Sequence, residues 1–193
     1  MANVDAPFGF RPIRYRSGQP YNGACNLYYI PSTDATAMFV GDAVSYATAN
    51  MTTAEGAPYI KQSAAAGEVN VGVIVGFKED TSSSEVYRPA STPRYAWVAD
   101  DINNLVCEVQ NSGYFSVTQT HHYGEILVGT GSTVTGLSAM EINSSGLITT
   151  AAQLRVVRLA AKPDNSSGTS TTDADGRYAI VEVFFNETAW DHL

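Results

Sequence analysis

Charge is scarce in this chain. Only 16% of its 193 residues are Asp, Glu, Lys or Arg, where soluble domains carry about a quarter. Its surface must therefore be made largely of Ser, Thr, Asn, Gly and Ala, and such a surface loses little when a partner covers it. Cysteine is rarer still. Cys25 and Cys107 are too few for a disulfide scaffold. Cys107 lies in an apolar, strand-like run, so two buried thiols is the first reading, with one disulfide or a reactive or metal-bound thiol as alternatives. No apolar run approaches the roughly 18 residues of a bilayer span. Residues 1–9 also lack the basic region and apolar stretch of a signal peptide. Neither a membrane span nor a secretion signal is expected.

Catalytic signatures are missing as well. The chain has no GxSxG elbow, Walker loop, dinucleotide fingerprint or HExxH, and its many serines have no strand-to-helix elbow to sit on. Three histidines are available, and the doublet His121–His122 would point to opposite sides of a strand. Asp100 and Asp101 precede Asn103 and Asn104 and read as a self-capped turn. Asp173 and Asp175 in DADG read as a polar hairpin turn without the later oxygen ligand of a calcium loop. Glu182, among Tyr178, Ile180 and Phe184, reads first as an edge or semi-exposed acid, with a buried acid as the alternative. The sequons at Asn50, Asn143, Asn165 and Asn186 are incidental in so Ser/Thr-rich a chain. No enzyme, cofactor or metal site is expected.

What is present is β-structure and an uneven charge. The formal net charge is −8, from 11 basic and 19 acidic residues, so the body should repel nucleic acid. Residues 1–20 run the other way, with Arg11, Arg14 and Arg16 against Asp5 alone, and their +2 leaves −10 on the other 173 residues. This segment also holds Phe8, Phe10, Tyr15 and Tyr21 between Pro7, Pro12 and Pro20. Prolines so spaced resist helix interiors and central strands. Residues 1–22 therefore read as an extended arm that must lay its rings on its own body or on a neighbour. Docking on a neighbour is the functional expectation, with Phe8, Phe10, Arg11, Arg14, Tyr15 and Arg16 as its contacts.

Residues 23–185 read as an all-β body and residues 186–193 as a short tail. Candidate strands are Leu27–Ile30, Ala37–Val40, Ala43–Ala47, Val69–Phe77, Tyr95–Ala99, Leu105–Val109, Tyr114–Val117, Ile126–Val128, Val134–Ile142, Leu154–Leu159 and Tyr178–Phe185. In the Val69–Phe77 run, Val69, Val71, Val73, Val75 and Phe77 form one face, and Gly72 and Gly76 suggest a bulge, a bend or close packing on the other face. Arg155 and Arg158 fall at unlike phases of their strand. Residues 48–67, 78–88 and 162–176 read as long Ser/Thr/Gly-rich loops, with a short helix possible near Ser63–Ala66. Short strands with Gly-rich turns, and no amphipathic crossover helix, point to a single compact β-barrel or β-sandwich domain.

The opening ANVDAPFGFRPIRYRSGQPYNG and the following YYIPSTDATAMFVGDAV resemble decoration, or cement, proteins of tailed-bacteriophage heads and related podovirus-like virion proteins. Asp5, Pro7, Phe8, Gly9, Arg11, Pro12, Tyr21, Asn22, Gly23, Tyr29, Ile30, Pro31, Phe39, Gly41 and Asp42 carry the likeness. The resemblance implies a non-catalytic homotrimer on the outer surface of the capsid, made in the host cytoplasm, with the major capsid protein as partner and the arm residues as its grip. Two other roles stay open: a head fibre or tail-associated component, and a carbohydrate-binding module stacking sugars on Tyr95, Trp97 or Trp190.

Overall fold

Twelve strands, three short 3-10 turns and no α-helix make up the regular structure of the described residues. A computed structural model describes residues 3–47, 52–53, 56–64, 66–79, 85–169 and 174–189. The strands are β1 (Arg11–Tyr15), β2 (Asn26–Ile30), β3 (Ala43–Tyr46), β4 (Ile60–Gln62), β5 (Gly72–Phe77), β6 (Arg94–Ala99), β7 (Leu105–Gln110), β8 (Tyr123–Gly124), β9 (Ile126–Leu127), β10 (Glu141–Ile142), β11 (Leu154–Leu159) and β12 (Ile180–Phe185). Two large antiparallel sheets result, with orders β1-β7-β12-β11-β8 and β2-β6-β5-β3-β4, and β9 and β10 form a separate ribbon.

Alternation builds the core. On the first sheet Leu105, Cys107 and Val109 of β7 point inward with Val181, Val183 and Phe185 of β12 and with Leu154 and Val156 of β11. Ala43, Val73 and Ala99 of the second sheet join the same cluster. A second cluster lies on the other side of the second sheet, around Tyr28, Ile30, Val44, Ile60, Ile74, Ala96 and Val98.

Several expectations change on contact with the structure. The β-branched face over Val69–Phe77 does not stay on one side: Val71, just before β5, packs in the second cluster and Val73 in the first, and a bulge then interrupts the pairing of β5 with β6 between Ile74 and Gly76. Val73 and Val75 pack toward the first cluster, whereas Phe77, now opposite Ala96, packs toward the second. The bulge adds one unpaired residue and so exchanges the faces beyond it. A strand, β4, lies in the expected loop 48–67. Ser63, Ala64 and Ala66 are not helical. Tyr114 and Ser116 make only isolated bridges. Cys25 and Cys107 are both free, and Trp190, His192, Asp173 and Asn50 lie outside the described residues.

Arg88 is a buried cation in the loop before β6. Fully inside, it donates to the carbonyls of Thr92 (2.6 Å), Thr36 (2.5 Å), Pro31 (2.7 Å) and Asp34 (2.9 Å). It thereby ties residues 31–36, which lack regular partners, to the turn at residue 92.

A basic, aromatic sheet face as the candidate functional site

The N-terminal segment reaches the body as an extended strap. Asn3 donates through Nδ2 to the carbonyls of Ser166 and Arg177 and accepts from Ser166 N. Gln110 accepts from Ala6 N and donates to the carbonyl of Val4. At Gly9 the chain turns inward with φ of 74°, where a Cβ would lie 2.6 Å from the Gly41 carbonyl. Only glycine tolerates both the positive φ and the close approach. Phe10 N then donates to Gly41 O, and the Phe10 ring enters the core, 5.2 Å from Phe185.

The next five residues form β1, the edge strand paired to β7. A bulge between Pro12 and Arg14 leaves Ile13 unpaired, so Arg11, opposite Glu108, and Arg14, opposite Val106, share a face although three residues apart. In an unbroken strand they would face opposite sides. The same device recurs in β11. A bulge between Val156 and Arg158 sets Arg155 opposite Phe184 and Arg158 opposite Glu182, so the unlike phases expected for these arginines become a common face.

That face is the outer side of the first sheet, away from the core. Two glutamates lie directly opposite one another there, Glu108 on β7 and Glu182 on β12, a pairing that is unfavourable unless cations intervene. They do. Glu182 takes Arg14 at 2.6 Å and Arg158 at 2.8 Å, and Glu108 takes Lys162 at 2.6 Å. Glu182 is therefore a buried acid on an interior strand, only 3% exposed, and not the edge residue its sequence neighbours suggest. Burial pushes its carboxyl up, but hydrogen bonds and charge from Arg158 and Arg14 outweigh this and hold it below the ordinary value.

The remaining cations lie over rings. Arg11 sits 4.6 Å above Phe8, Arg16 is 4.5 Å above Phe184, and Arg155 is 5.4 Å from Tyr123. Between the strap and residues 162–165 runs a cleft of about 560 Å³, lined by Phe8, Gln110, Lys162, Asp164, Tyr178 and Ile180 among others. This one face gathers Arg11, Arg14, Arg16, Arg155, Arg158 and Lys162, six of the chain's 11 basic residues, against Glu108, Glu182 and Asp164. On a chain of net charge −8 it is a local positive field over aromatic surface.

Of the six expected contact residues, Phe8, Arg11, Arg14 and Arg16 come together here. Phe10 does not, being a core residue at 2% exposure. Tyr15 packs beside Tyr21, with centroids 6.1 Å apart, and leans on the core cluster. Residues 10–15 are thus part of sheet and core, and the segment 1–22 cannot be removed without them. Arg155, Arg158, Lys162 and Phe184 also belong to the face; the RxxR spacing shared by residues 11–14 and 155–158 is a sequence signal for the two arginines, and none marks Lys162 or Phe184.

The other candidates are structurally modest. His121 sits in a turn with φ of 70°, not in a strand, and no group of three His, Cys, Asp or Glu suited to a metal occurs among the described residues. Asp101 and Asn104 close the expected turn, with Asn104 Nδ2 donating to Asp101 Oδ1 at 2.8 Å. No helix among the described residues is long and apolar enough to cross a membrane.

The fold class is all-β, with two large antiparallel sheets and one basic outer face. No family model, curated protein or solved structure matches the chain.

Proposed function

We propose that this chain is a decoration protein of a tailed-bacteriophage head, held on the major capsid protein by the outer face of the first sheet. The observation that carries this reading is the gathering of six basic side chains and three aromatic rings on one face of an acidic chain. Arg and aromatic groups make economical interface anchors, because each joins a large contact area to directed bonds. Arg11, Arg16 and Arg158 are the exposed ones, and they can turn to a partner without breaking the core. The two sheets sharing one core cluster support a sandwich as the scaffold. The output is mechanical: a protein that binds only the assembled lattice stabilises it by linkage. No chemical step is assigned to any residue.

Co-sedimentation with empty, expanded phage heads tests the reading. Binding should weaken with salt, and the double variant Arg11→Glu, Arg16→Glu should lose at least about tenfold in affinity, equivalent to about 1.4 kcal/mol. Failure of the unmodified chain to sediment with heads, or unchanged binding of the variant, would sink it.

A second reading has one observation in its favour. Trp97 is 38% exposed on β6, and along the same side Tyr29 lies 5.0 Å from both Tyr59 and Tyr95. Such a row of rings suits stacking on sugars, and a glycan array with Trp97→Ala as control would reveal it.

A further inference from the structure

From Ile126 to Met140 the chain carries no charged side chain. The same stretch supplies Leu127, Val128, Val134 and Leu137, four of the nine large apolar side chains left exposed among the described residues. Val134 stands at the tip of a turn closed by Ser132 N donating to Leu137 O and Gly136 N donating to Ser132 O, and it is 86% exposed. Gly136 presses the base of that turn onto Val86, also exposed, so closely that a Cβ there would lie 2.6 Å from the Val86 carbonyl.

Beside this apolar knob lies a cleft of about 500 Å³. Phe39 and Tyr87 line it, stacked 5.1 Å apart at 8°, with Pro89, Ala90, Val128 and Thr130 around them, and none of its lining residues is charged. A knob and a hole, both uncharged, therefore sit next to each other, on a different part of the molecule from the basic face.

We infer that this surface is a contact between copies of the chain, with the Val134 turn of each copy seated in the uncharged cleft of another. Charge selects the occupant. Molecules of net charge −8 repel one another at most approaches, and an uncharged turn entering a cleft with no charged lining residue lets two of them meet without burying like charges there. A partner recognised by complementary charge would engage the basic face instead. An adjacent knob and hole suit self-association, since each copy offers the element that another receives. Apolar surface of this kind otherwise stays wet at a cost in solubility.

Sedimentation equilibrium of the full chain across a wide concentration range is the first test. The chain should show mass above the 20.6 kDa of a monomer, and Val134→Asp should weaken association at least about tenfold while near-UV circular dichroism stays unchanged. The second test mixes Val134→Cys and Ala90→Cys proteins, each in a Cys25→Ser background, under mild oxidation. A disulfide-linked heterodimer should form, which only contact between copies can produce. A monomer at every concentration, an unchanged mass for Val134→Asp, or no mixed cross-link overturns the inference and leaves the face to a foreign partner. None of these results bears on shell binding through the basic face.

Discussion

Arg14 Nη2 donates to Glu182 Oε2 at 2.6 Å although 168 residues separate them in sequence and β7 lies between their strands. With Arg158 on the other carboxylate oxygen, the pair locks the edge strand β1 to the middle of its sheet. Replacing Glu182 with Gln leaves two arginines facing each other with no anion between them. Arg14 and Arg158 are partly exposed, which screens the loss, so unfolding in urea should show a destabilisation of about 1–3 kcal/mol. The depressed carboxyl adds a pH signature. Its stabilisation is present above the ordinary value of 4.5 and is lost as pH falls through its lower folded value. The variant should therefore lose part of the acid limb of the stability profile below pH 4.5, and an unaltered limb would speak against the pairing.

Phe8 and Phe10 are two residues apart and have different work. Phe10→Ala should cost about 3–5 kcal/mol, as for a buried ring whose cavity cannot collapse. Phe8→Ala, on the outer face beneath Arg11 and Lys162, should cost under about 1 kcal/mol. Thermal and urea unfolding of both proteins checks the contrast; equal costs would misplace one of the rings.

Arg88→Met tests the buried guanidinium. Four backbone carbonyls lose their donor, so the loss should be about 3–5 kcal/mol, with residues 31–36 becoming the fastest-exchanging amides near that loop by hydrogen exchange.

Glu141 offers a second pH test. Burial, with a smaller push from Asp5, raises its carboxyl from 4.5 to about 7, and its Oε1 is buried without a hydrogen-bond partner among the described residues. The folded chain therefore holds this proton more tightly than the unfolded one, so the associated stability is full below pH 4.5 and is lost as pH rises toward 7. Glu141→Gln should remove that decline and raise stability at pH 8 by about 1–2 kcal/mol, after allowance for partial exposure. A variant no more stable than the parent at pH 8 would refute it.

Much of the strand content could be read in advance because alternation and turn residues act locally. Leu154–Leu159 is the clearest case, expected and found with the same bounds, and Leu105–Val109 and Tyr95–Ala99 come within one residue. β4 escaped because Ile60–Gln62 is short, lies among small polar residues, and exists as a strand only by pairing with β3. The candidate face was half legible. Arg11, Arg14 and Arg16 stand out by composition, but Phe10 shares that composition and goes to the core, since the turn at Gly9 is set by the close approach of Gly41.

The sequence by itself determined the β class, the scarcity of charge, the basic N-terminal segment and the charge-free stretch 126–140, since each depends on residues near one another in the chain. Only the tertiary structure decided where the charges point. Periodicity puts Arg11 and Arg14, or Arg155 and Arg158, on opposite sides of a strand. Pairing with the neighbouring strand extrudes Ile13 and one residue between Val156 and Arg158, and so turns all four arginines to one face. A bulge is a property of two strands in register, and no single strand carries the instruction for it.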